Sequence, residues 1–505
     1  MTKLDMYKKL KSGTDIRGIA VETENGKLEL TDEAVYDLTV GFSLWLFGNG
    51  VEKGAKVAVG HDSRISAERI KTQVIKALCD CGFSVLDCGY ASTPAMFMTT
   101  VDLECKASVQ ITASHHPFDR NGLKFFTVKG GLDGKDIERL IELACDYDIS
   151  ECENPTAEKI DYMTVYAKGL RDMICREVNA ENYEMPLKGY KIVVDAGNGV
   201  GGFYATEVLE KLGADITGSQ FLNPDGMFPN HAPNPENKAA MDSISKATTD
   251  NGADLGIIFD TDVDRAGCVD ENGNEINRNR LVALASIIAL EGNEGGTIVT
   301  DSVTSTGLTA FINDNLGGVH YRFKRGYRNV INKQIELNEK GVNCPLAIET
   351  SGHAALRENY YLDDGAYLMT KIVIKMAQMG KEGKKLDSLI KDLKDPVEAC
   401  ELRPTIKEED FRAYGNSVIE NLEKFASEKD GWTIADDNRE GIRVFLDKDH
   451  GDGWFLLRLS VHDPLMPFNA ESDSVGGVKK IVKEAYDFFK ICKGLDIGVI
   501  ENYIK

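Results

Sequence analysis

Three stretches of this chain read alike, and their recurrence constrains the fold more than any single motif does. Lys56-Val-Ala-Val-Gly-His-Asp-Ser-Arg64, Lys191-Ile-Val-Val-Asp-Ala-Gly-Asn-Gly199 and Thr297-Ile-Val-Thr-Asp-Ser-Val-Thr304 are short apolar, β-branched runs that enter a polar loop holding an aspartate. Such runs fit a pleated, buried surface. Each is followed by a helical-looking segment, then by a second strand ending in a loop of different make-up. Those second loops are Ile111-Thr-Ala-Ser-His-His116, Ile258-Phe-Asp-Thr-Asp-Val-Asp-Arg265 and Ile348-Glu-Thr-Ser-Gly-His353. Strands alternating with helical segments predict α/β units with mixed or parallel sheets, and the repetition predicts three related domains. Reactive groups in such sheets gather at the carboxyl ends of the strands. The three second loops are therefore expected to face one cleft.

The breaks in the pattern set expected boundaries. Ser150-Glu-Cys-Glu-Asn-Pro155 closes the first unit, Asp270-Glu-Asn-Gly-Asn-Glu-Ile-Asn277 lies near the end of the second, and Lys394-Asp-Pro396 ends the third. This divides the 505 residues into 1–154, 155–278, 279–395 and 396–505. The last part reads as a smaller α+β domain: a strand over Val397–Ile406, a helix over Glu408–Ser427, short strands at Thr433–Ile434, Ile442–Leu446 and Trp454–Ser460, and a helix from Glu471.

Composition narrows the partners. A hydrophobic content of 42% with 28% charged residues belongs to a globular protein with a real core. A formal net charge of −22 argues against nucleic acid or an anionic membrane as a general partner. An anionic small molecule would then need arginines and lysines gathered at a few loops. The opening Met-Thr-Lys-Leu-Asp-Met-Tyr has no apolar signal core, and no run approaches a membrane span. The eleven cysteines are scattered without zinc-type spacing, which points to reduced thiols and a cytoplasmic location.

The loops carry the chemistry. In the first, the apolar run Ala107, Val109, Ile111 ends in a polar turn with Ser114, His115, His116 and Pro117, and Lys124 follows an Asn-Gly turn. A hydroxyl at a strand end, flanked by His and Lys, suits a group that takes and returns a phosphoryl unit. In the second, Asp260, Asp262 and Asp264 alternate, so an extended loop would turn three hard oxygens to one side, as Mg²⁺ or Ca²⁺ requires. An EF-hand is excluded: its sixth position would be Arg265 rather than glycine, and a strand precedes it. The third, Glu349-Thr-Ser-Gly-His353, read alone, is a helix start with Ser351 as a cap. Arg458-Leu-Ser-Val-His-Asp-Pro464 is expected to end the last strand, and arginine is suited to forked phosphate binding.

Thr112-Ala-Ser-His-His-Pro117 with Asn121-Gly-Leu-Lys124 resembles the phosphoserine loop of the α-D-phosphohexomutases, which include phosphoglucomutase, phosphomannomutase and phosphoglucosamine mutase. The resemblance runs from Ser12 to about Glu471. It implies three α/β domains and a smaller fourth around a central active-site cleft, with the fourth closing as a lid. It implies phosphate on Ser114, and Mg²⁺ held by Asp260, Asp262, Asp264 and an oxygen of that phosphoserine, with Arg265 beside it. Arg17 of Ser12-Gly-Thr-Asp-Ile-Arg-Gly18 would reach the site, Lys124 would serve as general acid and base, and His115 as an electrostatic partner. Glu349, Ser351 and His353 would grip the sugar, while Lys324 and Arg325 of Lys324-Arg-Gly-Tyr-Arg328 would assist. Arg458 and Ser460 would anchor the distal phosphate; His462 stands there in place of the family's Thr, and Asp463 in place of its Glu. Asn223–Glu236 also resembles the family and reads as a crossover loop without chemistry.

The implied activity is reversible transfer of phosphate between the 1- and 6-positions of a hexose phosphate, glucose or mannose, through a hexose 1,6-bisphosphate intermediate. Phosphoglucosamine mutase is the alternative substrate reading, and the expected oligomeric state is monomer or dimer. A phosphosugar phosphatase would release inorganic phosphate steadily. A non-catalytic sugar-phosphate sensor would keep the fold but not the turnover.

Overall fold

The computed structural model describes residues 2–24, 26–460 and 463–505. Each predicted repeat becomes the same three-strand arrangement. Lys56–His61 pairs in parallel with Ala107–Ile111, which turns back antiparallel as Arg120–Thr127. Ile192–Asp195 pairs in parallel with Leu255–Phe259, which turns back as Ala266–Asp270. Thr297–Thr300 pairs in parallel with Leu346–Ile348, which turns back as Ala354–Leu356. The chemical loops are thus hairpin connections, and the aspartate loops end the strand alongside. All three sheets are mixed.

Burial explains the apolar runs. Every residue of Ala107–Ile111, Ile192–Asp195 and Leu255–Phe259 is buried, as expected of strands covered on both faces. The first unit builds its own core around Phe42, Val59, Val109 and Phe125. The second and third share one through Phe259, Leu346 and Ile372. The C-terminal part is an antiparallel five-stranded sheet with two long helices, Phe411–Ser427 and Gly477–Phe489, and a separate core around Phe455 and Phe468. The chain is therefore three α/β/α units plus a C-terminal antiparallel-sheet domain.

Several expectations are corrected. Asn121 and Gly122 lie inside the strand Arg120–Thr127 rather than in a turn. A Cβ on Gly122 would meet the Ile16 carbonyl at 2.2 Å, so glycine is there to let the strands approach. Ser351 does not cap a helix: its loop leads into the strand Ala354–Leu356, and the helix downstream starts at Gly365 with Asp364 as its cap. Glu471 sits in the strand Phe468–Ser472, and the last long helix begins only at Gly477. Arg458 follows Gly453–Leu457, which is not the last strand, since Phe468–Ser472 pairs beside it. Val397–Ile406 is two strands, Glu398–Leu402 and Thr405–Ile406, and the expected helix over Glu408–Ser427 begins at Phe411. Ala157–Lys159, beyond the expected first boundary, completes the first sheet. Among the described residues no helix is long and apolar enough to cross a membrane, and all eleven cysteines are free.

Candidate active site

Ser114 adopts a left-handed backbone, φ 51°, just beyond the strand Ala107–Ile111, after Thr112 and Ala113. That conformation is costly for a residue with a Cβ and persists only where the surroundings hold it. The turn directs Oγ to Asp260 Oδ2 at 3.0 Å, to which it donates, while Arg265 donates to Oγ from 3.0 Å. His115 Nδ1 lies 3.3 Å from the same oxygen and accepts from Arg265 at 2.6 Å. Burial, then Arg265, His116 and Arg17, push the His115 imidazole down to about 2, so it is neutral at physiological pH. Arg17 donates to Asp15 at 2.7 Å; burial opposes its charge, but Asp15 holds it above the usual arginine value.

The carboxylates of Asp260, Asp262 and Asp264 converge, with ligand atoms within 4.8 Å of one another. An extended loop is not what achieves this. Val263 takes φ 66°, and the resulting turn folds the three side chains to one point. Lys124 Nζ bridges Asp262 at 2.9 Å and Asp264 at 2.5 Å. Burial opposes its charge, but the two carboxylates hold it well above the usual lysine value. Asp260 is pushed well above the usual carboxylate range by burial, then by Asp264 and Asp262. Asp264 stays well below that range despite burial, because Lys124, His353 and Arg265 surround it. One oxygen of Asp262 and one of Asp264 are buried without a hydrogen-bond partner. Three crowded carboxylates with unused lone pairs fit a hard divalent cation.

The third loop stands beside this centre through a backbone bridge between Arg265 and His353. His353 Nδ1 is 2.9 Å from Asp363, and its ring stacks on Tyr327 at 5.1 Å. Burial opposes its charge, while Asp264 and Asp363 raise its pKa. Glu349 accepts the Gly326 N–H at 2.6 Å and lies 3.5 Å from the Ser351 hydroxyl. Arg325 donates to Glu236 at 3.1 Å, and Lys324 is exposed.

At the far end, Arg458 is buried with its Nε unpaired; burial lowers its pKa, Glu440 opposes this, and Arg325 adds to it. The Ser460 hydroxyl accepts the Asp463 N–H at 3.3 Å. His462 lies outside the described residues. A cavity between Arg325, Thr350 and the C-terminal sheet is lined by these two together with Glu236, Glu401, Trp454 and Asn469.

Several participants escaped the sequence reading. The Asn223–Glu236 crossover is not inert: Asn234 accepts from Arg265 at 3.2 Å and Glu236 from Arg325. Thr93 opens a helix and gives its hydroxyl to Asp262. Asp62 and Asp301 accept hydroxyls from Thr112 at 2.6 Å and Thr350 at 2.7 Å. The recurring aspartate was a usable signal for the last two; Thr93 and Asn234 had none.

Residues 8–148, 139–273 and 277–396 match, in order, alpha/beta/alpha domains I, II and III of phosphoglucomutase/phosphomannomutase. Scaffold and centre together define an enzyme of the phosphohexomutase class. The chain belongs to the phosphoglucomutase/phosphomannomutase family. It is 31% identical over 474 residues to a phosphomannomutase/phosphoglucomutase of Pseudomonas aeruginosa, covering 92% of each chain. It is 30% identical over 471 residues to a phosphoglucomutase of Neisseria gonorrhoeae, covering 92% of this chain and 94% of the relative. The crystal structure of a phosphoglucomutase/phosphomannomutase family protein from Burkholderia thailandensis superposes with a TM-score of 0.77 at 25% identity, covering 98% of each chain.

Proposed function

We propose that this phosphohexomutase interconverts the 1- and 6-phosphates of glucose and mannose, with Ser114 as the phosphate carrier and a hexose 1,6-bisphosphate as intermediate. The supporting observation is the Ser114 hydroxyl, held 3.0 Å from both Asp260 and Arg265 at the mouth of a carboxylate cluster.

In the first transfer the bond from phosphorus to Ser114 Oγ breaks and one to the free sugar hydroxyl forms. Arg265 faces the departing oxygen and offsets its charge. Lys124, an ammonium in this environment, protonates that oxygen; the amine it leaves accepts the proton of the attacking hydroxyl. Mg²⁺ held by Asp260, Asp262, Asp264 and Ser114 would supply the charge that phosphoryl transfer chiefly needs. Glu349, Ser351 and His353 grip the ring, while Arg458, Ser460, Arg325 and Lys324 hold the phosphate that is not moving. Arg17 keeps the site positive, and neutral His115 orients Arg265 as its acceptor. After the bisphosphate turns over in the cleft, the second phosphate returns to Ser114 by the reverse steps.

The free thiols support a reducing, cytoplasmic setting. The four-domain division belongs to the same reading, with its first boundary drawn after Lys159, because that strand completes the first sheet. Intact-mass measurement should find a fraction about 80 Da heavier, lost in Ser114→Ala. A coupled assay with glucose, mannose and glucosamine 1-phosphates, bisphosphate supplied, should show the first two used best. Preference for the glucosamine ester would reassign the substrate, and phosphate on another residue in active enzyme would remove Ser114 as carrier.

A further inference from the structure

We infer that Arg64 is the positioning residue of the Ser114 loop, holding its strained backbone from behind without touching substrate; the inference rests on Ser114 being the phosphate carrier. Arg64 is 2% exposed, among the largest fully buried side chains of the protein. A guanidinium has five N–H donors, and all five are used here. Nε donates to Asp62 Oδ2 at 3.2 Å. One terminal nitrogen donates to the carbonyls of Pro117 at 2.6 Å and Arg120 at 2.9 Å. The other donates to the carbonyl of His116 at 2.6 Å and to that of Ser114 itself.

Four carbonyls from residues 114 to 120 therefore converge on one cation, and the loop is wound around it. The N–H of Ser114 is fixed as well, by Thr112 Oγ1 at 2.9 Å, whose own proton goes to Asp62 at 2.6 Å. Asp62 also accepts the Arg64 backbone N–H at 2.9 Å. Both peptide groups flanking Ser114 thus hang on the Asp62–Arg64 pair. This over-determination is what a left-handed serine requires. The positive φ in turn sends Oγ to Asp260 and Arg265 rather than along the strand direction.

The second unit closes the clamp. The Phe228 ring covers the guanidinium at 5.2 Å. A Cβ on Gly226 would lie 2.4 Å from the Ser63 carbonyl and 2.5 Å from the Ile65 nitrogen, so the crossover loop is pressed against the Arg64 backbone. The same loop reaches Arg265 through Asn234. One segment thus seats both the clamp behind Ser114 and the arginine in front of it.

Lysine cannot replace this fork, because its ammonium has three donors on one point. Arg64→Lys should lower kcat roughly 100-fold, the scale of a one-ångström misplacement, with KM within about threefold of the parent. Amide exchange should quicken over residues 112–120 and stay unchanged in the strand 255–259. Phe228→Leu, which leaves every hydrogen bond of Arg64 in place, should lower kcat by roughly 3- to 10-fold, again with KM held. It decides the matter if Arg64→Lys does not fold. Folded Arg64→Lys with parental kcat and loop exchange would overturn the inference, as would parental kcat in Phe228→Leu should Arg64→Lys fail to fold. Ser114→Ala is measured alongside. If it stays active, the carrier assignment itself has failed; if it is inactive while the Arg64 variant is not, only the clamp has.

Discussion

Thr93 and Asp262 are joined twice across two structural units: the Thr93 N–H donates to the Asp262 carbonyl at 2.9 Å, and its hydroxyl donates to the Asp262 carboxylate. Ser114 hangs from the first sheet and the carboxylates from the second, so their mutual placement depends on such cross-unit contacts. Thr93 also opens a helix, whose N-terminal dipole favours a carboxylate at that point.

Thr93→Val should therefore disturb chemistry rather than sugar binding. We expect kcat to fall roughly tenfold with KM little changed, the scale of one lost hydrogen bond to a charged group. Steady-state kinetics on both 1-phosphates checks this; a KM effect alone would speak against it.

The carboxylate cluster should be indispensable. Asp262→Asn is expected to lower kcat about 100-fold or more, because the proposed cation would lose one of its anionic ligands. Chelator-treated protein should be inactive and recover with Mg²⁺. Full activity after chelation would exclude the Asp260–Asp262–Asp264 assignment.

At the distal end, Arg458→Ala should raise KM and lower kcat together, since the proposed phosphate contact would both bind and position the substrate. A forked, charge-assisted contact is worth about 2–4 kcal/mol, hence roughly 30- to 1000-fold in kcat/KM. Unchanged kinetics would remove that loop as the anchor.

His231 predicts a pH-dependent stability outside the chemistry. Its Nε2 meets Asp195 at 3.0 Å and its Nδ1 meets the Ala232 carbonyl at 3.0 Å. Both partners only accept, so the pairing favours the doubly protonated ring. Burial opposes this charge, but Asp195 raises the pKa above the ordinary histidine value. A raised folded-state pKa contributes stability that is complete below the unfolded value of about 6.5 and is lost as pH rises through the folded one. Thermal-unfolding midpoints should fall as pH rises above about 6.5 and through the raised folded-state value, and His231→Gln should flatten that fall, the difference being on the order of 1 kcal/mol. A parental slope in the variant would show that the pair does not carry it.

The repeat was legible because each unit must bury a strand on both faces, which writes unbroken apolar runs such as Ile192–Val194 and Leu255–Phe259 into the chain. Ser114 was singled out by the resemblance of its loop and the three aspartates by their alternate spacing, and the fold brings Ser114 within 3.0 Å of Asp260. The Asn121–Gly122 turn was misread because a turn and a close strand approach ask for the same residue, and only the neighbouring Ile16 carbonyl distinguishes them. The carboxylates were expected along an extended loop, whereas the left-handed Val263 gathers them, a conformation that valine itself does not announce.

Local pattern alone thus determined three α/β units, their order and the residue types at each strand end. That follows because periodicity and β-branching act over a few neighbouring residues. Tertiary structure decided which of those ends meet: Thr93 on Asp262, Phe228 on Arg64, Glu440 on Ser302. It also decided their charge states, from a neutral His115 to a firmly protonated Lys124. Burial and neighbouring charges set those states, and both are supplied by segments more than a hundred residues apart in the chain.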